Sequence, residues 1–244
     1  MICGRAATGS LSPRKYMQRS KTYRAVVAKK EENKEYCPEE AIAFLKGNKI
    51  AKFDESFEVH VRLGINPKKS DEMVRSTVIL PFGTGRAKKV AVVTSTKEKE
   101  AKEAQADLVG SDELITDIKN GKMIPGVAFD VLLATPEMMP KLAPVAKILG
   151  PKGMMPSPKT ETVTQKIKET VEMFKKGKKI NFKNDDTGNV HQVIGKLSFK
   201  AEELLENYET FRDALNKVKS ETMKGKLIQS ISFCSTMGPS LKVK

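Results

Sequence analysis

The feature of this sequence that most limits its fold is the placement of two different kinds of strand. Toward both ends of the chain apolar and polar residues alternate, in Phe57 to Leu63 and again in Leu227 to Cys234, which is typical of strands with one face in water. In the middle, Val90 to Val93 and Val131 to Ala134 are continuous apolar runs, which is typical of parallel strands covered on both faces. The two ends therefore share one kind of sheet, and the centre has another.

Apolar residues at helical spacing separate these strands. Near the ends, a short helix is predicted over 38–46 and a long one over 204–218, and alternation returns at Ile180 and Phe182. In the central part the pattern predicts a helix that starts with a Ser95–Glu98 capping box, one that stops at Gly121, one that starts at Thr135 and Pro136, and one from Val163 to Phe174.

Together these patterns predict an α/β and α+β chain of two domains. An α+β domain of the split-βαβ type is built from both termini, residues 1–82 and 179–244, and a Rossmann-like three-layer α/β domain, residues 83–178, is inserted into it. The chain must then cross between the domains twice. We place the crossings near 82–84 and 177–179, where Gly83, Gly85 and Gly177 interrupt the pattern.

The charge of the chain indicates a partner rich in phosphate. Lys and Arg number 44 against 30 Asp and Glu, which gives a net charge of +14. An anionic membrane is the weaker alternative, because no apolar run approaches the roughly 20 residues that a spanning helix needs. The three cysteines lie far apart without Cys-x-x-Cys spacing, which favours a reducing compartment and no disulfide.

The first 30 residues are basic, with no acidic residue before Glu31. Residues 1–15 are predicted to be a disordered basic extension. A basic arm along phosphates, an upstream start and an organellar transit peptide all fit this composition.

A run of eleven residues, Leu149 to Lys159, contains three prolines, two glycines and two lysines. Proline fixes φ and glycine reaches positive φ, so the run predicts a rigid cationic loop that contacts an anion. The alternative is a stiff connector with incidental lysines.

Several motifs of the sequence are incomplete matches to known functional sites. Gly83 to Arg86 lacks the Lys-Ser/Thr ending of a phosphate loop, and Asp185 to Gly188 fits a hairpin turn better than half a calcium loop. His60 is predicted to be a solvent-facing strand residue, and neither it nor His191 has zinc-site spacing. The sequence predicts no catalytic residues, no metal site and no cofactor.

A set of ordered motifs resembles the bacterial family of large-subunit ribosomal protein one (L-one), the protein of the mobile stalk beside the exit site. The resemblance covers about Tyr16 to Lys244. Its motifs are Ala51 to Ser56, Leu63 to Ile65, Lys69 to Asp71, Val74-Arg75, Leu80-Pro81, Gly83 to Gly85, Leu149 to Lys159, Gly195-Lys196 and Ser235 to Gly238.

The resemblance implies that the domain built from both termini grips large-subunit ribosomal RNA and that the inserted domain swings toward exit-site tRNA. Carried over by position, the RNA-binding residues are Lys52, Phe53, Ser56, Ser230, Thr236, Met237 and Gly238, and Lys152 and Lys159 form the tRNA-facing loop. From spacing alone, Phe53 is explained more simply as a core residue at the start of a strand, which is the commoner fate of phenylalanine. The implied partners are the ribosome, ribosomal RNA, exit-site tRNA and the chain's own messenger RNA, which many relatives repress. The implied location is a cytoplasmic ribosome, with an organellar ribosome as the alternative.

The sequence departs from the family pattern at several places. Ser76 and Phe82 stand where glycine and histidine are usual, and Thr160-Glu161 replaces a step that contains glycine. Losing glycine removes freedom at positive φ, and Glu161 adds repulsion toward phosphate. The alternative from another class is an α/β nucleotide-binding enzyme that uses the central domain.

Overall fold

The computed structural model describes residues 19–31, 34–67, 69, 73–95, 97–218 and 226–244, and it describes only the backbone of Lys159. The predicted extension 1–15 lies outside these residues. Within them, no helix has the length and apolar character needed to cross a membrane.

The helices and strands follow one another along the chain in mixed order. The helices are α1 (Lys21–Ala28), α2 (Pro38–Gly47), α3 (Glu98–Glu103), α4 (Asp112–Lys119), α5 (Met139–Leu142), α6 (Ala146–Leu149), α7 (Ile167–Lys175) and α8 (Ala201–Lys217). The strands are β1 (Ser56–Leu63), β2 (Arg75–Ile79), β3 (Val90–Val93), β4 (Leu108–Gly110), β5 (Val131–Ala134), β6 (Lys179–Lys183), β7 (Asn189–Lys196), β8 (Ile228–Ser235) and β9 (Leu241–Val243). Short 3₁₀ helices lie at Pro136–Met138, Ala143–Val145 and Pro158–Thr160.

The strands near the chain ends form a four-stranded antiparallel sheet in the order β7-β1-β8-β9. Their alternation places one set of side chains on a core with α2 and α8, and the other set outward. Phe233 is central to this core, because its ring lies 5.1 Å from that of Phe57 and 4.8 Å from that of Tyr208. The predicted sheet with one wet face is confirmed.

The central strands form a parallel sheet in the order β4-β3-β5. All four residues of β3 are buried, because helices cover both faces. Ala91 and Val93 pack on one side with α4 and the 136–149 segment, and Val90 and Val92 pack on the other with α3 and α7. The predicted three-layer α/β arrangement is confirmed.

A third, two-stranded sheet pairs β2 with β6 in antiparallel orientation. It joins the core of the terminal sheet, where the rings of Phe182 and Phe211 meet at 5.4 Å. Ser76 belongs to this sheet, opposite Phe182. One hydrophobic cluster thus draws on both ends of the chain, and two further clusters draw only on residues 90–174. The mixed α/β and α+β fold is therefore confirmed, whereas the division at 82/83 and 178/179 stays a prediction.

The two predicted crossings lie side by side. Gly83 and Gly177 both have positive φ, at 72° and 64°. The N–H of Thr84 donates to the carbonyl of Gly177 at 3.0 Å. Buried Asn207 accepts from the N–H of Phe82 at 3.2 Å and donates to the carbonyl of Gly83 at 3.0 Å. The Gly83 to Arg86 segment is therefore held beside Gly177 by a backbone hydrogen bond.

Three local predictions differ in their outcome. The Ser95 capping box is wrong: α3 starts at Glu98, the Thr94 hydroxyl accepts from the N–H of Lys97, and Ser95 donates to Glu137 instead. Val163 is not helical, because it bridges to Ala134 before α7 begins. The Asp185 to Gly188 turn is confirmed, since the Asp185 carboxylate accepts from the N–H groups of Thr187 and Asn189.

Candidate nucleic-acid interface

The outer face of the four-stranded sheet carries polar side chains from β1 and β8. The register pairs Arg62 with Ser230, His60 with Ser232 and Glu58 with Cys234. Ile231 and Phe233 face the core between them, as alternation predicts. The part of this face that β1 and β8 form is polar from Arg62 and Ser230 to Glu58.

At one end of the face two chain segments meet, one before β1 and one after β8. The Ser56 N–H donates to the Thr236 hydroxyl at 2.9 Å, and the Thr236 N–H donates to the Ser56 carbonyl at 3.2 Å. We call this end the rim, defined by Lys52, Phe53, Ser56, Thr236, Met237 and Gly238. The structure therefore brings six of the seven predicted RNA-binding residues together.

A buried carboxylate holds the two segments of the rim in place. Glu55 is fully buried, and its carboxylate accepts from the N–H of Ala51 at 2.8 Å, of Ile50 at 3.1 Å and of Met237 at 3.3 Å. Burial alone would raise the pKa of Glu55, but hydrogen bonds from the Ser235 hydroxyl and from these N–H groups outweigh it and lower the pKa. Glu55 thus stays ionised and joins both segments.

Sequence analysis did not single out Glu55, although a signal was present. Counting back by two from Phe57 places Glu55 on the inward-facing side of the strand pattern, where a carboxylate needs buried donors. Lys196 was missed as well. Its ammonium donates to the Ser56 hydroxyl at 3.1 Å and to the Asp54 carbonyl at 3.3 Å, which adds a cation beside the rim.

Two large apolar side chains project from the rim into solvent. Phe53 is 54% exposed and Met237 is 52% exposed, so the core interpretation of Phe53 is wrong. Lys52 is also exposed. Position 238 has room only for glycine, because a Cβ there would lie 2.4 Å from the Ser235 hydroxyl oxygen that accepts the Gly238 N–H.

Ser230 is the predicted residue that the structure does not bring to the rim. It lies on the same outer face, but six residues back along β8 from Thr236, which corresponds to about 20 Å. Its neighbour across the pair is Arg62, an exposed cation. The predicted residues therefore mark both ends of one face.

The loop of residues 149–159 is a compact series of turns. Leu149 and Pro156 are buried, and Met154 packs partly against the central core. Gly153 has a φ of 68°. The Lys152 ammonium donates to the Pro125 carbonyl at 2.7 Å, so this predicted tRNA-facing cation is engaged with its own chain. The side chain of Lys159 lies outside the described residues.

Glu161, just after this loop, occupies a strained position. Its φ is 48°, in the left-handed region that favours glycine, which agrees with the loss of a glycine noted in the sequence. Its carboxylate lies 2.7 Å from the ammonium of Lys179, which is 3% exposed. Glu161 is therefore paired with a buried cation.

The outer face also carries a cluster that sequence spacing did not predict. His60 Nδ1 lies 2.8 Å from His191 Nδ1, and His60 Nε2 lies 2.9 Å from Cys234 Sγ and 3.9 Å from a Glu58 oxygen. Burial, together with His191, lowers the pKa of His60, and burial raises the pKa of Cys234 to about 11. His60 is thus half-buried among polar groups rather than simply facing solvent.

An exposed face of cations, hydroxyls and apolar side chains on a mixed α/β fold is typical of a nucleic-acid-binding protein. The sequence matches the profile of the Ribosomal protein L1p/L10e family over residues 45–239. It is 46% identical over 225 residues to the large ribosomal subunit protein uL1 of Mycoplasma capricolum subsp. capricolum, which is 92% of this chain and 98% of that protein. It is 47% identical over 220 residues to the uL1 protein of Synechococcus sp. (strain CC9605), 90% of this chain and 92% of that protein.

The chain therefore belongs to the Ribosomal protein L1p/L10e family. The relatives are named as ribosomal proteins, which gives no support to the enzyme alternative for the central segment.

Proposed function

We propose that this chain is a constituent of the large ribosomal subunit and that it binds large-subunit ribosomal RNA through the rim and Ser230. Relatives that share 44% to 47% identity are named as large ribosomal subunit protein uL1, which supports the proposal that this chain is part of the large subunit. The net charge of +14 supports a polyanionic partner.

The observation that carries the RNA proposal is the exposure of Phe53 and Met237 on turns that a buried carboxylate fixes. Exposed apolar side chains cost free energy in water, and on a rigid turn they are ready to stack on bases or pack on sugars. Little ordering entropy is lost when they meet RNA.

The other residues of the rim supply polar contacts. Lys52 neutralises phosphate, the hydroxyls of Ser56 and Thr236 bond to phosphate or 2′-hydroxyl oxygens, and Gly238 allows close backbone approach. Ser230 and Arg62 contact a second stretch of RNA at the far end of the same face.

We propose further that residues 83–178 form a moving domain and that Lys152 and Lys159 act there toward exit-site tRNA. The adjacent crossings support this, since Gly83 and Gly177 at positive φ concentrate the linkage in one small region. A lysine held at Pro125 would exchange that carbonyl for a phosphate on binding.

The proposal includes translational repression of the chain's own messenger RNA. An mRNA segment that mimics the ribosomal site would meet the same rim, so both activities would depend on Phe53 and Met237. A variant that loses one activity is therefore expected to lose the other.

The test of the RNA proposal uses single alanine variants of the full chain and a fragment of large-subunit RNA. Phe53→Ala and Met237→Ala should each weaken binding by about 1–3 kcal/mol without changing its salt dependence, because they remove packing rather than charge. Val127→Ala is the matched control, since Val127 is 71% exposed but lies in the central segment. Unchanged binding in both rim variants, measured by titration at several salt concentrations, would refute the proposal.

A further inference from the structure

Four metal-ligating side chains converge on the outer face of the four-stranded sheet, beside the rim. Glu58 and His60 come from β1, Cys234 from β8 and His191 from β7. Of these, the ligand atoms of Glu58, His60 and Cys234 all lie within 4.8 Å of one another. None of the three has been used in the proposed RNA contacts.

The strand register explains why residues so distant in sequence meet. Glu58 lies directly opposite Cys234, and His60 lies directly opposite His191. Glu58 and His60 are two residues apart on one strand, so they share a face. The side chains of His60 and Glu58 are 30% and 29% exposed, so the group is shielded but reachable from solvent.

The chemistry of the group suits zinc. Imidazole nitrogen, thiolate sulfur and carboxylate oxygen are the usual ligands of Zn²⁺, at about 2.0–2.3 Å in a tetrahedron, which puts neighbouring ligand atoms roughly 3.3–3.7 Å apart. His60 Nε2 lies 2.9 Å from Cys234 Sγ and 3.9 Å from Glu58 Oε2, on either side of that spacing. Small side-chain rotations therefore suffice to form the site.

The contacts behind His60 fit the tautomer that a metal needs. A ring with Nε2 free carries its proton on Nδ1, which donates to His191 Nδ1 at 2.8 Å. His191 then carries its own proton on Nε2, which lies 3.5 Å from the Asp185 carboxylate. Such a chain of partners orients a metal-bound imidazole and raises its basicity.

We propose that Glu58, His60 and Cys234 bind a zinc ion, with His60 coordinating through Nε2, His191 as the positioning residue and water in the fourth place. The Cys234 thiol loses its proton to solvent on binding, because coordination to zinc deprotonates a thiol. This inference does not depend on the RNA proposal.

The test uses the full chain, freed of metal, and Co²⁺ as a spectroscopic probe for the zinc site. One equivalent should give a thiolate-to-cobalt charge-transfer band, and added Zn²⁺ should abolish it. Cys234→Ser should lose the band, whereas Cys37→Ser should keep it, because Cys37 is exposed at the start of α2, away from the sheet face. No thiolate band, or a band lost in Cys37→Ser and kept in Cys234→Ser, overturns the proposal.

His191→Asn tests the positioning role. It leaves all three ligands in place, so the band should remain while the affinity for Zn²⁺ falls about 10- to 100-fold. An unchanged affinity would remove His191 from the proposal. Should Cys234→Ser fail to fold, alkylation of the wild-type chain decides: Zn²⁺ should protect Cys234 and not Cys37 from iodoacetamide, and equal labelling of Cys234 with and without Zn²⁺ overturns the site.

Discussion

The rim and the loop of residues 149–159 are both shaped by local rules, but they leave different groups available. At the rim, buried Glu55 satisfies three backbone N–H groups, and Phe53 and Met237 are left more than half exposed. In the loop, Leu149, Pro156 and Met154 pack inward, and the Lys152 ammonium is bonded to the Pro125 carbonyl. A cationic sequence is therefore a weaker sign of a binding surface than an apolar side chain held in water.

The difference also separates two ways of fixing a loop. Proline and glycine restrict the backbone through φ alone, whereas a buried carboxylate ties two distant segments through hydrogen bonds. A loop restricted by several prolines and glycines tolerates the loss of one of them, whereas the rim depends on the single side chain of Glu55. The largest mutational effects are accordingly expected at the rim.

Glu55→Gln is expected to have the largest effect on RNA binding. A neutral amide cannot accept from all the donors that the carboxylate serves, so both segments of the rim shift and both apolar side chains lose their placement. Affinity for large-subunit RNA should fall by about 2–6 kcal/mol, the sum expected for two stacking groups. Glu209→Gln, an exposed change on α8, is the control, and equal affinities in the two variants would contradict this account.

The same variant has a pH signature in stability. The pKa of Glu55 is lower in the folded chain than the roughly 4.3 of an unfolded glutamate, so its contribution is complete above that value and is lost as pH falls through the folded pKa. Wild type should exceed Glu55→Gln by about 1–3 kcal/mol in unfolding free energy near neutral pH. Urea titrations below about pH 4 should show this gap closing; a gap independent of pH would exclude Glu55 as its source.

On the loop side, Glu161→Gln is expected to cost about 1–2 kcal/mol of unfolding free energy, because it leaves the buried Lys179 ammonium without its charged partner. Glu161→Gly removes the same charge but relieves the left-handed backbone, which costs a non-glycine residue about 1–2 kcal/mol. The glycine variant should therefore be the more stable of the two. Calorimetry that ranks them the other way would show that φ strain contributes little here.

The smallest effect is expected from single lysines. Lys52→Gln should reduce the dependence of RNA affinity on log salt by about 0.7–0.9 of a unit, which corresponds to one phosphate contact. Lys152→Gln should leave the slope for large-subunit RNA unchanged, because Lys152 lies in the loop of residues 149–159, which is proposed to act toward tRNA. Equal slopes for both variants in titrations from low to moderate salt would erase the distinction between rim and loop.

Much of the fold could be predicted because burial of one or both faces of a strand gives a local pattern of apolar residues in the sequence. Val90 to Val93 is apolar throughout because both faces of β3 are covered, and β1 alternates because one of its faces is not covered. The sequence of β2 shows no such pattern, because Val78 is the one buried residue of this strand. Its pairing with β6 depends on residues about a hundred positions later in the chain.

The candidate sites were harder to predict for the same reason. Phe53 and Met237 could be named through the family resemblance, but Glu55 acts through donors on two separate segments, which no spacing reveals. The contact of His60 with Cys234 spans 174 positions and exists only through the register of β1 and β8. Pairing across a sheet brings such groups together, and a linear pattern does not contain it.

The strand order β7-β1-β8-β9 has a consequence for the order of synthesis. Strand β1 is translated early, but both of its neighbours come from the last third of the chain, so its edges stay open while the central parallel sheet can already form. Lys52 and Phe53 likewise wait for Thr236 to Gly238 before the rim exists. Vectorial folding thus delays the surface proposed for RNA until the last strands have left the ribosome, so a truncated nascent chain would not compete with finished protein for that RNA.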